Sequence, residues 1–516
     1  MVPCANIAQG KCNQGKCNTG SGLLAGTNKT ATYLGLDLGT SGLKAVLMDE
    51  QGKILADANV GLRVSRPEPG WSEQDPADWW QACLKGVDRL SKSHPEELSR
   101  LVAMGLCGQM HGATLLDANH DILRPAILWN DGRSVEECRQ IESNCPNARE
   151  ISGNIAMAGF TAPKLAWVKN NEPDIFAAVR KVLLPKDYLR FRLCGEFISD
   201  MSDASGTLWL DVKRRDWSGE LLAATGLTRA HMPELVEGNA VGGYLSDELK
   251  SRWNLSGTIP ITGGGGDNAA AACGVGAVRP GHGFVSLGTS GVLFVSNARF
   301  SPNTNSAVHA FCHAIADTWH QMGVILSATD SMNWLAGITG RKVVDLVAQV
   351  EAEFTGPANE VFLPYLSGER TPHNNPDARG SFVGLSHSST PVTLAQAVME
   401  SVAFAFADCK KALISGGTQI ERLTAVGGGA NSFLWLKMIA TNLNLNLQVP
   451  RDGDFGGAYG AARLALCAAT GADPAEICTS PEIDRVIQPD TSLINAYQDQ
   501  YRRYRALYHA IERTSS

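Results

Sequence analysis

Long apolar runs are missing from this 516-residue chain. Nowhere do 18 consecutive apolar residues occur, so no segment reads as a membrane-crossing helix. An excess of basic charge is missing as well. Lys and Arg number 45 against 52 Asp and Glu, a net charge of −7. That balance argues against nucleic acid or an anionic membrane as partner. The 13 cysteines contain no Cys-x-x-Cys pair. Most, such as Cys83, Cys107, Cys273, Cys409 and Cys467, sit singly in apolar surroundings, where a thiol behaves as a small hydrophobe. An odd count without a framework points to a reducing compartment, and the expected location is cytoplasmic. The pattern G-x-x-x-x-G-K-[ST] is absent, as are G-x-S-x-G and H-E-x-x-H. P-loop kinases, α/β-hydrolases and zinc hydrolases of those types are thereby excluded.

What is present is a globular composition, 44% hydrophobic and 19% charged, on a chain long enough for two or three domains. Residues 1–31 are rich in Gly, Asn, Lys and Cys without apolar periodicity, and read as a disordered extension. Ordered pattern begins at Tyr33. A strand there enters the turn Leu38-Gly39-Thr40-Ser41-Gly42, and the same pentapeptide returns as Leu287-Gly288-Thr289-Ser290-Gly291. Each copy lies between apolar strands, which suggests an internal duplication. A second pair agrees with it: Gly263-Gly264-Gly265-Gly266-Asp267-Asn268 in the first half and Gly427-Gly428-Gly429-Ala430-Asn431 in the second. Each follows a short apolar strand and opens a helix. Strands alternate with amphipathic helices over 75–91, 393–413, 456–469 and 497–511, so the fold class is α/β. Ala277 to Gly281 is the candidate hinge, dividing a first domain, 32–278, from a second, 279–516.

A turn of Gly, Thr, Ser and Gly offers clustered backbone N–H groups and two hydroxyls, a nest for phosphate oxygens. A single such turn reads as an ordinary hairpin. Two, one per half, suit a polyphosphate held from both sides. Asp37 on the first strand is costly in apolar surroundings unless it is paired or meets a metal, and Mg²⁺ is the oxygen-seeking candidate. Asp267 ends the four-glycine run. From position alone it reads as a helix N-cap, a role that does not exclude catalysis. Met110-His111, together with Trp129-Asn130 and their neighbours, suits an aromatic-walled carbohydrate pocket. Lys44 and Arg370 add positive charge at unassigned places.

The chain resembles the FGGY family of carbohydrate kinases from about Tyr33 to His509. Trp71 to Pro76, Gly108 to Ala113, Arg124 to Arg133, Leu184 to Arg190 and Leu363 to Pro372 are similar to its xylulokinase branch. The resemblance implies two ribonuclease-H-like domains of the actin/hexokinase type flanking a cleft. It implies ATP and Mg²⁺ as cofactors, a sugar substrate held by the first domain, and ATP held mainly by the second. The implied reaction is phosphorylation of D-xylulose on its 5-hydroxyl, with another ketose or polyol, such as ribulose or glycerol, as the alternative. The general base falls on Asp267, and the organiser of Mg²⁺ and phosphates on Asp37. Ketose contacts fall on Met110 and His111, with Asn268, Trp129 and Asn130 nearby. ATP contacts fall on Gly39, Thr40 and Ser41, on Gly288, Thr289 and Ser290, and on Gly428, Gly429, Ala430 and Asn431. No nucleic acid or membrane partner is expected, and a homodimer stays open. One departure is visible: the signature region reads Phe455-Gly456-Gly457-Ala458, with Ala where the family name has Tyr.

Overall fold

The computed structural model describes residues 30–451 and 455–515. Residues 1–29, with Cys4, Cys12 and Cys17, lie outside the described residues, as do Gly453 and Asp454 in the second glycine-rich stretch.

Two seven-stranded sheets carry the fold. In the first, β1 (Thr32–Leu38), β2 (Gly42–Asp49) and β3 (Ile54–Gly61) form an antiparallel meander. Helix α1 (Pro76–Ser93) packs its Trp79, Cys83, Val87 and Leu90 face on that meander. Asp75 caps it, its carboxylate accepting from the Ala77 N–H at 2.9 Å, and proline follows at the first helical position, where no N–H is missed. Strand β4 (Leu101–Gly108) lies parallel to β1 on the other side. Beyond it come β5 (Val241–Tyr244) and β6 (Pro260–Thr262), and the short β7 (Gly265–Gly266) also pairs with β4.

The second sheet repeats this plan. Strands β8 (His282–Leu287), β9 (Gly291–Asn297) and β11 (Trp319–Ile325) form the meander, with β10 (His309–Cys312) outside it. Then β12 (Arg422–Val426) and β13 (Leu447–Pro450) run parallel on the far side of β8, and β14 (Ile483–Ile487) closes the edge antiparallel. Meander, then parallel strands, then an antiparallel edge is the order in both sheets. The duplication read from the LGTSG turns is therefore a duplication of topology.

Alternation along β8 and β12 sends Val285, Leu287, Leu423 and Ala425 into the core of the second half, and Phe284, Ser286 and Val426 to the opposite face. A 25-residue helix, Pro391–Ser415, fills that core. It is the one helix among the described residues long and apolar enough to cross a membrane, and 78% of its apolar window is buried in the protein. That burial is what a core helix shows.

The two halves interlock. Helix α4 (Asp267–Gly274) leaves the first sheet toward the second, and a late helix, Gly457–Thr470, returns to lie across β1, β4 and α4. The approach requires backbone without side chains. A Cβ on Gly35 would fall 1.8 Å from the Ala458 carbonyl oxygen, and one on Gly460 would fall 1.7 Å from that of Ala270. The small-residue run of 457–462 thus serves a crossing of backbones. Gly460→Ala is expected to force the crossing apart at a cost of about 1–3 kcal/mol or more. The melting midpoint then falls by several degrees, which a thermal shift series checks; an unchanged midpoint would mean that the contact is slack.

Candidate active site

Strand register builds the site. In the parallel ladder, Asp37 on β1 stands opposite Cys107 on β4, and Cys107 opposite Gly265 on β7. Asp267 follows two residues later. The two carboxylates named from sequence are thereby brought together at the carboxyl ends of neighbouring parallel strands, where open α/β sheets bind ligands. Gly266 holds the N-cap position of α4, and the helix has no side-chain cap. Asp267 is its first helical residue. Its Oδ1 accepts from the Asn268 N–H at 2.7 Å and from Asn268 Nδ2 at 2.8 Å. The N-cap alternative therefore fails, and Oδ2 accepts no hydrogen bond among the described residues.

Electrostatics follow from this crowding. Burial, reinforced by the charge of Asp37, raises the Asp267 carboxyl to about 6, against the two Asn268 hydrogen bonds. Burial also raises Asp37, against a hydrogen bond from the Cys107 thiol and the charge of Lys44. Oδ1 of Asp37 is buried with no hydrogen-bond partner. A lone acceptor-only oxygen of this kind suits a hard cation or its water. Among the described residues no group of three or more His, Cys, Asp or Glu could hold a metal by itself. A Mg²⁺ here would thus share its ligands with phosphate oxygens. The signature segment reaches this place too. A Cβ on Gly457 would stand 2.8 Å from Asp37 Oδ2, so glycine at that position is demanded by the carboxylate.

The Gly-Gln-Met-His-Gly segment continues β4 past Asp267. Met110 packs against Gly266 and Gly206, where added Cβ atoms would lie 2.8 Å from its Sδ and 2.7 Å from its Cε. His111 takes a left-handed conformation (φ 70°). Its carbonyl accepts from Lys164 Nζ at 2.9 Å and from the Thr161 hydroxyl at 3.2 Å. Its Nδ1 lies 2.6 Å from the Gly206 carbonyl oxygen. A carbonyl can only accept, so Nδ1 carries the proton. Burial first, then Lys164 and Arg370, depress the imidazole to about 3. The ring is neutral, and Nε2 is left as an acceptor.

Thr40 of the first turn is less free than the sequence suggests. Its hydroxyl donates to Gln109 Oε1 at 2.8 Å and accepts from Trp129 Nε1 at 2.9 Å. Gln109 in turn donates to Gln74 Oε1 at 2.9 Å. Trp129 thus roofs the turn, and Asn130 beside it is exposed. Asp131 and Arg133, from the same cluster, form a structural ion pair at 2.7 Å, with Trp71 under the guanidinium. In the second turn, the Thr289 side chain is exposed, and its carbonyl accepts from the Ala328 N–H at 2.9 Å.

Two cavities flank the Gly427–Asn431 loop and share Gly428 and Asn431. One, of about 620 Å³, runs from Asn268 past Phe284, Ser286 and Val426 to Arg451. The other, of about 600 Å³, is a more apolar slot. Helices α5 (Thr329–Thr339) and α6 (Val343–Glu353) give it Met332, Asn333, Val343 and Val347, and Thr289 stands at its edge. These slot residues were not singled out from sequence, because isolated apolar positions on an amphipathic helix look the same whether they face a core or a cavity.

A buried charge cluster was also missed. Helix Pro185–Cys194 brings Lys186, Asp187 and Arg190 against Asp200 and Asp203, all fully buried. Lys186 Nζ lies 2.5 Å from Asp187, 2.8 Å from Asp200 and 3.2 Å from Asp203. Burial alone would lower the ammonium, but the three carboxyls outweigh it and hold it high. Burial pushes Asp203 well above the ordinary carboxylate range. The cluster grips the glycine run: Arg190 donates to the Gly263 carbonyl, and the Gly266 N–H donates to the Ser202 hydroxyl at 3.0 Å. Its sequence signal was charge inside an apolar helix, Leu184-Pro185-Lys186-Asp187.

Known proteins resemble this chain over most of its length. The N-terminal domain of the FGGY family of carbohydrate kinases matches residues 32–274, and the C-terminal domain matches residues 283–469. The chain belongs to the FGGY family of carbohydrate kinases. It is 48% identical over 478 residues to the xylulose kinase of Escherichia coli K12, covering 92% of this chain and 98% of that one. A solved structure described as a "xyloylose kinase" from Brucella ovis is 56% identical with a TM-score of 0.92, covering 94% of this chain and 100% of that one. A xylulose kinase structure from Rhodospirillum rubrum is 27% identical with a TM-score of 0.87, covering 94% and 99%. This FGGY protein is a carbohydrate kinase of the two-domain, actin/hexokinase-like fold, and it phosphorylates a sugar at the expense of ATP. Breaking the charge cluster in it by Lys186→Met leaves buried carboxylates uncompensated. The expected loss is about 3–5 kcal/mol of stability, read as a lower urea midpoint; an unaltered midpoint would contradict the balance described.

Proposed function

We propose that this FGGY kinase transfers the γ-phosphoryl group of ATP to the 5-hydroxyl of D-xylulose. The observation that carries the mechanism is the buried pair Asp37–Asp267, with Asp267 raised to about 6. The names of the relatives supply the sugar. Residues 32–278 hold the sugar and residues 279–516 hold most of the nucleotide. Adenine enters the apolar slot between α5, α6 and Gly428–Gly429. The phosphates then lie between the turns at Gly39–Ser41 and Gly288–Ser290, near Ala430 and Asn431, with backbone N–H groups as donors.

Asp267 acts as general base. Asn268 holds its Oδ1, so Oδ2 is directed to the acceptor hydroxyl and takes its proton as the oxygen–phosphorus bond forms. A carboxyl near 6 is ionised at pH 7 yet basic enough to assist, which is the compromise general bases need. Met110 sets the depth of the sugar beside Asp267. The neutral His111 accepts a sugar hydroxyl at Nε2, with Asn268, Trp129 and Asn130 around the mouth. Asp37, with its unpartnered oxygen, would hold Mg²⁺ or its water, and the ion would neutralise phosphoryl charge. Positioning and electrostatics of this kind supply most of the catalysis in phosphoryl transfer. The cytoplasm, where ATP is available, is the proposed location.

Asp267→Asn should lower kcat by about 10²–10⁴-fold with ATP binding nearly intact; near-normal turnover would remove the base. Because the folded carboxyl is raised, activity is present above about pH 6 and is lost as pH falls through that value. A kcat/KM profile checks this, and an acid limb at the ordinary carboxylate value, about 4, would contradict it. Coupled ADP release with D-xylulose, D-ribulose, L-ribulose and glycerol tests the substrate. Preference for any acceptor over D-xylulose would overturn that part of the proposal.

A further inference from the structure

Beyond His111 the site continues into the second half of the chain. The His111 ring lies 4.9 Å from that of Phe160, Phe160 lies 5.4 Å from His309, and His309 stacks on Phe311 at 5.3 Å. His309 and Phe311 come from β10 of the second sheet. At the end of this row, Arg370 Nη1 donates to His309 Nε2 at 3.1 Å. His309 Nδ1 faces Asn154 Oδ1 at 3.4 Å. That oxygen can only accept, so Nδ1 bears the proton and Nε2 is free to receive the guanidinium. The histidine is thus neutral, and burial followed by Arg370 depresses it well below its usual value.

Only the neighbouring Glu369 supports the Arg370 charge, against burial that lowers it. No carboxylate makes an ion pair with it among the described residues. The adjacent Glu369 accepts from the N–H groups of Leu326 and Arg370, and burial raises it to about 8, which leaves it protonated at neutral pH. Nε and Nη2 of the guanidinium form no hydrogen bond among the described residues. A half-buried cation beside the neutral His309 is expensive unless a polar ligand completes it. Its charge acts on His111, the residue whose free acceptor faces the sugar. Met110 packs on Gly266 beside Asp267, His111 follows it, and the charge of Arg370 reaches His111 from the second half. A sugar with its terminal hydroxyl at Asp267 therefore presents its opposite end to Arg370.

We propose that Arg370 is a specificity-determining residue, donating from the second half to the carbonyl end of the bound ketose and so distinguishing a ketose from a polyol. This rests on the proposed function above. The same contact makes sugar binding depend on the closed position of the halves, since His111 and Arg370 approach the ligand from different halves.

The test compares D-xylulose with xylitol, which lacks the carbonyl, as acceptors for the wild type, Arg370→Met and Arg370→Lys. In Arg370→Met, KM for D-xylulose should rise about 10–100-fold, the worth of hydrogen bonds from a charged donor. KM for ATP should stay within about twofold, and the preference for D-xylulose over xylitol should collapse. Arg370→Lys keeps the charge and should restore part of that preference. Equal losses with both acceptors, or an unchanged preference, would overturn the proposal by showing a merely structural role. If Arg370→Met gives no cooperative melt, the acceptor ratio of Arg370→Lys decides by the same criterion. The wild-type acceptor panel fails independently of this, because it ranks sugars without reference to Arg370.

Discussion

Two carboxylates that water would keep apart are held together in this protein by backbone register. Asp37 and Asp267 are far apart in sequence, yet the β1–β4–β7 ladder leaves them no other place. Burial then raises both, and the charge of Asp37 adds to the rise of Asp267. Much of the neighbourhood makes that arrangement tolerable. Gly457 clears space against Asp37, Asn268 bonds one oxygen of Asp267, and the Lys186 cluster fixes the glycine run from behind. A cation held at Asp37 would relieve the repulsion between the pair.

The interlocked helices give the pair its mechanical setting. Asp267 starts one of the two crossing helices, and Gly457, against Asp37, starts the other. Contact at Gly460 and Ala270 is backbone on backbone, so the two helices cannot shift without altering the distance between the carboxylates. Movement of the halves is thus felt first where the chemistry is.

Much of this was legible in the sequence, for identifiable reasons. The LGTSG repeat marked the duplication because hairpin turns of this kind tolerate few residue types, and the two sheets repeat each other accordingly. Asp267 stood out because a carboxylate after four glycines lacks a packing rationale. Other features were hidden. The partners of Thr40 are long-range contacts to Gln109 and Trp129, and no local pattern announces them. The apolar slot between the helices is lined by residues that alternate as in any amphipathic helix. The Phe455–Ala458 segment was visible as the signature region, and its Gly457 abuts Asp37 in the other half. A glycine needed for a distant carboxylate and one needed for a ligand look identical in a sequence. Arg370 was visible as a charge but could not be placed until β10 brought His309 beside it.

The central claim is that Asp37 and burial together set the basicity of Asp267. Direct titration of the Asp267 carboxyl by carbon-13 NMR, assigned by difference from Asp267→Asn in sugar-free and Mg²⁺-free protein, tests it without reference to turnover. The account predicts a midpoint at about 6, moving down in Asp37→Asn while staying above the ordinary carboxylate value. A midpoint at about 4, the ordinary aspartate value, or one indifferent to Asp37→Asn, would contradict it.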